Sequence, residues 1–242
     1  MNLIIDVGNT FVKLAVFKTD LLVFKTSVEL TNTVEEIKRL KNEFPKLKKA
    51  IVSSVGRLQK HQIASINKQL DLVQLTHKTK IPFKNNYATP KTLGVDRIAL
   101  VSASVYHYSK SNVLIIDAGT CITYDFITDK NEYLGGAISP GIRMRYKSLH
   151  NLTANLPLLD TEVPKNNIGT STKDSIHSGV INGVVNEIDG FIKSYEEKYL
   201  DLTVILTGGD TNFLSEQLKS SIFANSNFLL EGLNYILKFN SN

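Results

Sequence analysis

The hexapeptide Leu3-Ile4-Ile5-Asp6-Val7-Gly8 recurs about half a chain later as Leu114-Ile115-Ile116-Asp117-Ala118-Gly119, and this repeat limits the possible folds more than any other feature. Each copy is an apolar triplet that runs into an acid and a glycine, with a threonine (Thr10, Thr120) within two residues and a second strand-like run behind it, Phe11–Phe17 or Cys121–Ile127. An apolar triplet of this kind reads as a buried strand, and the acid and glycine end it in a tight turn. A strand–turn–strand unit that appears twice predicts two domains of one architecture. The 242 residues suffice for two domains, since domains commonly hold about 100 to 150 residues each. The expected boundary falls near Asn112, giving residues 1–112 and 113–242. Nothing there is rich in proline or glycine, so a short hinge is expected rather than a flexible linker.

Further strand-like runs lie at Ala50–Ser53, Leu72–Leu75, Val113–Ile116, Tyr133–Ala137 and Thr203–Leu206. Helical spacing lies between them: Val34, Ile37, Leu40 and Phe44 share one face, as do Ile63, Ile66 and Leu70. Helices are also expected over Val95–Tyr108, Ile142–Leu149, Lys173–Tyr199, Asn212–Lys219 and Gly232–Phe239. The alternation of strands and helices makes the fold α/β.

Composition excludes several classes. No apolar run approaches the roughly 20 residues of a membrane span, and the first residues lack the basic start of a secretory signal; a cytoplasmic protein with no membrane partner is expected. Cys121 is the only cysteine, so neither an intramolecular disulfide nor a cysteine-based metal site can form. The formal net charge is +5, but the lysines and arginines are scattered and no aromatic residues interleave them. A nucleic-acid partner is therefore not expected.

The turn Asp6-Val7-Gly8-Asn9-Thr10 has the chemistry of a phosphate cradle. Glycine and asparagine accept a tight turn whose N–H groups point outward, and Thr10 adds a hydroxyl. Lys13, on the second strand, reaches the same anion while Val12, Leu14 and Val16 face the core. Asp6 is suited to hold a water of a bound Mg²⁺, which takes only one or two carboxylates. A plain Gly-Asn hairpin with a capping Asp is the alternative. Asp117-Ala118-Gly119-Thr120 supplies a second carboxylate and hydroxyl. Thr207-Gly208-Gly209-Asp210 forms a third turn, between a strand and a helix, where a flat adenosine can approach the backbone. No glycine is followed by lysine, no G-x-G-x-x-G occurs and no histidine is followed by glutamate, which removes the Walker loop, the dinucleotide fingerprint and the H-E-x-x-H zinc site.

Five segments occur in the order seen in type III pantothenate kinases: Asp6-x-Gly8-Asn9-Thr10-x-x-Lys13, Gly94-Val95-Asp96-Arg97, Asp117-Ala118-Gly119-Thr120, Gly135-Gly136-Ala137-Ile138-Ser139-Pro140-Gly141 and Thr207-Gly208-Gly209-Asp210. The chain resembles that family from end to end. The family belongs to the acetate and sugar kinase, heat-shock ATPase and actin superfamily, so the resemblance implies two duplicated ribonuclease-H-like domains with a nucleotide cleft between them. It also implies ATP, Mg²⁺ and a monovalent cation, K⁺ or NH₄⁺, with pantothenate as substrate. Carried over residue by residue, it gives Asp6, Val7, Gly8, Asn9, Thr10, Phe11, Val12, Lys13 and Thr120 to ATP, and Asp6 to Mg²⁺ through water. Tyr87, Gly94, Val95, Asp96 and Arg97 go to the pantothenate pocket. Asp117, on its own a second Mg²⁺ carboxylate, goes to K⁺. Thr172, otherwise a helix cap, reaches the substrate across a homodimer interface. For that interface the long helix, with Ile176, Val180, Ile188 and Ile192, is a candidate surface, although an intramolecular core explains those residues too.

Asp96 is the expected catalytic base. Phosphoryl transfer to an alcohol needs a group that orients the hydroxyl and takes its proton, and a carboxylate of ordinary acidity does this when the proton leaves late. Arg97 offers a planar fork for the carboxylate of pantothenate. The alternative makes Asp96 an N-terminal helix cap and leaves Arg97 solvated. Cys121 departs from the small alanine usual in the family and is expected to be a small buried hydrophobe. Two other functions stay open: a superfamily kinase or phosphatase with another substrate, and a non-catalytic regulatory binding protein of the same fold.

Overall fold

Leu3, Ile4 and Ile5 are fully buried at the centre of β1 (Asn2–Val7), the strand around which the first half of the chain is assembled. The structure is a computed structural model that describes residues 1–8, 11–54 and 58–241; Asn9 and Thr10, two of the expected ATP ligands, lie outside the described residues. β1 pairs antiparallel with β2 (Val12–Lys18), and β2 pairs antiparallel with β3 (Leu21–Val28). On its other side β1 runs parallel to β4 (Lys49–Ser54), which runs parallel to β5 (Asp71–Gln74). The sheet order is β3-β2-β1-β4-β5.

Helices α1 (Thr33–Glu43) and α2 (Lys60–Asn67) close one face of this sheet, where Ile37, Leu40 and Ile66 pack with Leu3, Ile5, Val12, Leu14 and Val16. Successive strand residues point to opposite faces, so Ile4 and Asp6 look the other way. After the short β6 (Lys84–Asn85), α3 (Val95–His107) packs against β4 on that second face, most of which is covered by the last helix of the chain.

The second half repeats the plan. β7 (Asn112–Ala118), β8 (Cys121–Ile127) and β9 (Glu132–Pro140) form an antiparallel run, followed by α4 (Ile142–Asn151), α5 (Thr172–His177) and α6 (Gly183–Glu196). Next come β10 (Leu202–Thr207), parallel to β7, then α7 (Thr211–Ser215) and β11 (Phe223–Ala224), parallel to β10. Within this half the order is β9-β8-β7-β10-β11, the first sheet's order with the same directions. Asp6 and Asp117 hold equivalent places: each ends the central strand, opposite Lys13 and Thr123 respectively. The sequence repeat is thus a repeat of topology.

Three expectations are corrected and one open alternative is decided. The units are residues 1–109 with 228–242, and residues 110–227, so the last helix, α8 (Phe228–Phe239), does not belong with the second half as 113–242 implied. Its buried Leu230, Leu233, Ile236 and Leu237 pack with α3 and the first sheet. Buried Asn234 fixes it there, donating to the Thr19 carbonyl at 2.9 Å and accepting from Asn2 Nδ2 at 2.8 Å. Second, the helix expected over Lys173–Tyr199 is interrupted by a π turn at Ser178–Asn182. Third, Ile176, Val180, Ile188 and Ile192, for which a partner surface and an intramolecular core were both open, belong to the core of the second unit. Fourth, Cys121 is only half-buried. None of the described helices is long and apolar enough to cross a membrane.

The backbones of α8 and α3 touch at Gly232: a Cβ there would stand 1.9 Å from the Ala99 carbonyl oxygen, a main-chain atom that cannot yield. Gly232→Ala is expected to lower stability by about 1–3 kcal/mol through overpacking, read as a lower urea midpoint with an unchanged slope.

Candidate active site

In the first unit the site starts from strand alternation. β1 delivers the Asp6 carboxylate to the sheet face opposite α1 and α2, in a position whose side chain is only 14% exposed. Across the hairpin, Asp6 is paired with Lys13, and the Lys13 Nζ lies 3.9 Å from its Oδ2. β2 alternates so that Lys13 is exposed while Val12 and Leu14 are buried, as expected. The turn is closed by the Gly8 N–H donating to the Phe11 carbonyl at 3.0 Å. Phe11 lies outside the strand, and its side chain is exposed.

Burial pushes the Asp6 carboxyl up to about 6; Lys13 pulls it down and the neighbouring Asp96 carboxylate pushes it further up. Asp6 and Asp96 therefore act on each other, as a shared site requires. Asp6, mostly buried with a single lysine beside it, is the kind of carboxylate a divalent cation would engage.

Asp96 sits in the first turn of α3, behind Gly94 at the cap position. A Cβ on Gly94 would lie 2.3 Å from Asp96 Oδ1, so glycine leaves the carboxylate room to fold over the helix start. There Oδ1 accepts the Arg97 N–H at 2.9 Å. Asp96 is thus fixed by its own helix terminus, where negative charge is favoured. Arg97 is buried rather than solvated, and its guanidinium lies over the Tyr87 ring at 5.5 Å. Such stacking is worth more when desolvated. Tyr87 is placed in turn by its N–H, which donates to Asn85 Oδ1 at 3.0 Å. The structure therefore pairs Asp6 with Lys13, places Asp96 close enough to influence Asp6, and sets Arg97, next to Asp96 at the start of α3, over the Tyr87 ring from the preceding segment; Val95 is half-buried.

In the second unit, Asp117 ends β7 half-buried and Thr120 is exposed in the following turn. Gly208, at φ 100°, allows the third turn to close on the second: a Cβ there would meet the Ala118 carbonyl oxygen at 2.3 Å and Asp117 Oδ1 at 2.5 Å. The Asp210 N–H completes the contact, donating to the Ala118 carbonyl at 3.0 Å. Burial raises the Asp210 carboxyl above its ordinary range. Gly141 presses on the hairpin from the other side, its N–H donating to the Thr120 carbonyl at 3.1 Å.

Thr172 is the first residue of α5, but the cap is Ser171, whose Oγ accepts the Asp174 N–H at 3.1 Å. The capping reading therefore fails for Thr172, and its hydroxyl is left exposed. It lines a groove of about 900 Å³ with Arg145, Leu149, Leu156, Ile176 and Val180. Sequence reasoning missed the polar group behind this groove, formed by Ser139, Arg145, Glu187 and Tyr124. Arg145 Nη2 donates to Glu187 Oε2 at 2.5 Å and to Ser139 Oγ at 3.0 Å. Only the Ser139-Pro140-Gly141 motif gave a signal, because Arg145 and Glu187 lie far apart in sequence. Among the described residues, no group of three or more His, Cys, Asp or Glu is placed to hold a metal on its own.

Comparison with known proteins agrees with this geometry. The type III pantothenate kinase family model matches residues 2–194. A type III pantothenate kinase of Christiangramia forsetii is 55% identical over 240 residues, covering 99% of each chain. One from Flavobacterium johnsoniae is 49% identical over 239 residues, covering 99% of this chain and 98% of that protein. Among solved structures, a glucokinase from an Antarctic psychrotroph superposes with a TM-score of 0.54 at 11% identity over 98% of both chains, which shows a shared fold. With a family model spanning most of its length and such identity from end to end, the chain belongs to the type III pantothenate kinase family.

Proposed function

We propose that this protein transfers the γ-phosphoryl group of ATP to the primary hydroxyl of pantothenate, giving 4'-phosphopantothenate and ADP, the first step of coenzyme A biosynthesis. The observation that carries this reading is the Asp6–Lys13–Asp96 group, with the Arg97–Tyr87 pair set beside Asp96. The hydroxyl oxygen attacks the γ-phosphorus in line, the bond to the β-phosphate oxygen breaks, and Asp96 receives the hydroxyl proton as the new bond forms. Arg97, with its guanidinium 5.5 Å from the Tyr87 ring centre, takes the carboxylate at the far end of pantothenate, and Gly94 and Val95 complete that wall. Lys13 and the first turn, from Asp6 through Val12, hold phosphate oxygens.

Asp6, a mostly buried carboxylate beside Lys13, is the residue that would hold Mg²⁺ through a water, and the ion bound there would supply positive charge to offset that of the phosphates. In the second unit Thr120 contacts ATP and the turn ending at Asp210 receives adenosine. Asp117, half-buried near the end of β7, is the residue that would hold K⁺ or NH₄⁺, offering its carboxylate oxygens. The protein works in the cytoplasm as a homodimer in which each Thr172 completes the other subunit's pantothenate pocket.

Two experiments test the reading. Expression in a bacterial strain lacking its own pantothenate kinase is expected to restore growth without supplementation. A panel of alcohol acceptors incubated with γ-labelled ATP is expected to label pantothenate in strong preference to sugars and acetate. Soluble protein that neither rescues growth nor labels pantothenate contradicts it.

A further inference from the structure

Exposed ion pairs contribute about 0–1 kcal/mol each, but the pair between Arg145 and Glu187 is built differently. Both side chains are mostly buried, at 21% and 24% exposure. The Arg145 fork is engaged on one edge: Nε donates to the Pro140 carbonyl at 2.9 Å, and Nη2 to Ser139 Oγ at 3.0 Å and Glu187 Oε2 at 2.5 Å. The other oxygen of Glu187 accepts from the Tyr124 hydroxyl at 2.9 Å. The Tyr124 ring is fully buried and stacked on Phe191, with centroids 4.0 Å apart. Burial opposes ionisation of Glu187, yet hydrogen bonds from Arg145, Ser139 and Tyr124 outweigh it and hold the carboxyl below its ordinary range. One group thus ties β8, α4 and α6 to the end of β9.

The chain just beyond β9 has no slack. Gly141 donates to the Thr120 carbonyl, and a Cβ on Gly141 would stand 2.1 Å from the Gly119 carbonyl oxygen and 2.6 Å from that of Thr120. The Arg145 N–H also donates to the Gly141 carbonyl at 3.0 Å. Any shift of Ser139–Gly141 is therefore passed to the backbone of the Asp117–Thr120 turn. We propose that Arg145 and Glu187 are positioning residues for the nucleotide: they touch neither substrate, but through Ser139, Pro140 and Gly141 they set the second hairpin in the geometry that receives ATP. The inference rests on the kinase reading, because it takes that hairpin as a nucleotide element.

The test is a split between binding constants and turnover. Glu187→Ala is expected to raise the KM for ATP about tenfold, the scale of loosening the support of a site, and to weaken binding of a fluorescent ATP analogue by the same factor. The kcat and the KM for pantothenate stay within about twofold of the parent. Glu187→Gln, whose carbonyl oxygen still accepts from Arg145 while its amide N–H can donate to the Tyr124 hydroxyl oxygen, recovers most of the loss. Should Glu187→Ala not fold, Glu187→Gln and Arg145→Lys carry the measurement, with a smaller rise in the same two constants. Variants that bind the analogue as the parent does, with only a lowered melting temperature or a reduced active fraction, overturn the proposal. Analogue binding needs no acceptor, so a protein inactive on pantothenate whose variants still lose nucleotide affinity defeats the substrate reading and leaves this one standing.

Discussion

Asp96→Asn is expected to lower kcat by a factor of about a hundred or more, the scale of losing a positioned base, while the affinity for ATP changes little. The substitution removes the proton acceptor and almost nothing else. Asparagine has the same size, and its Oδ1 still accepts the Arg97 N–H that holds residue 96 against the start of α3. Arg97 keeps its place over Tyr87, so pantothenate still binds. The electrostatics add one further effect: the Asp96 charge helps to raise the Asp6 carboxyl, so in the variant Asp6 ionises at lower pH. Steady-state kinetics at saturating substrates, with nucleotide binding measured separately, check both parts. Turnover near that of the parent removes Asp96 from the base role.

Asp6→Asn is expected to give a more stable but inactive protein. The Asp6 carboxyl titrates at about 6 in the folded chain, against an ordinary 3.8, chiefly because it is buried. Between these values the folded protein binds more protons than the unfolded chain, so stability falls as pH rises from about 4 to 7 and the deficit persists above. A difference of this size corresponds to at most about 3 kcal/mol. The neutral amide removes the deficit. Urea denaturation without nucleotide is therefore expected to show Asp6→Asn up to about 3 kcal/mol more stable than the parent at pH 8, with no advantage below pH 4. Activity falls by about two orders of magnitude or more, since the carboxylate that holds the metal-bound water is gone. A variant less stable than the parent at pH 8 contradicts the account of Asp6 as a strained functional acid.

The parts of the fold legible in the sequence are those with a local signature. The repeated Leu-Ile-Ile-Asp segments are central strands buried on both faces, which read as continuous apolar runs, and they led directly to the duplicated order of the two sheets. β3 was missed although Leu21-Leu22-Val23-Phe24 is apolar, because it is an edge strand in which exposed residues alternate with half-buried ones and none is fully buried. The placement of α8 was missed because nothing local to Phe228–Phe239 says which sheet it covers; that depends on Gly232 meeting Ala99 and on Asn234 meeting Thr19 and Asn2, all distant in sequence. The site divides in the same way. Asp6 and Lys13 were legible as neighbours because strand alternation fixes their directions, whereas Asp96 was singled out by the family resemblance rather than by its local pattern. Burial of Arg97 and the tie between Arg145 and Glu187 were not, since both depend on contacts that only folding creates.

The most direct test of the central claim is a coupled assay of ADP release with the purified protein, run with and without pantothenate, in potassium and in a potassium-free buffer. The account predicts ADP formation that depends on pantothenate, matches 4'-phosphopantothenate mole for mole, and falls sharply when potassium is withdrawn without ammonium to replace it. ADP released at the same rate whether or not pantothenate is present, or no ADP at all from folded protein, contradicts it.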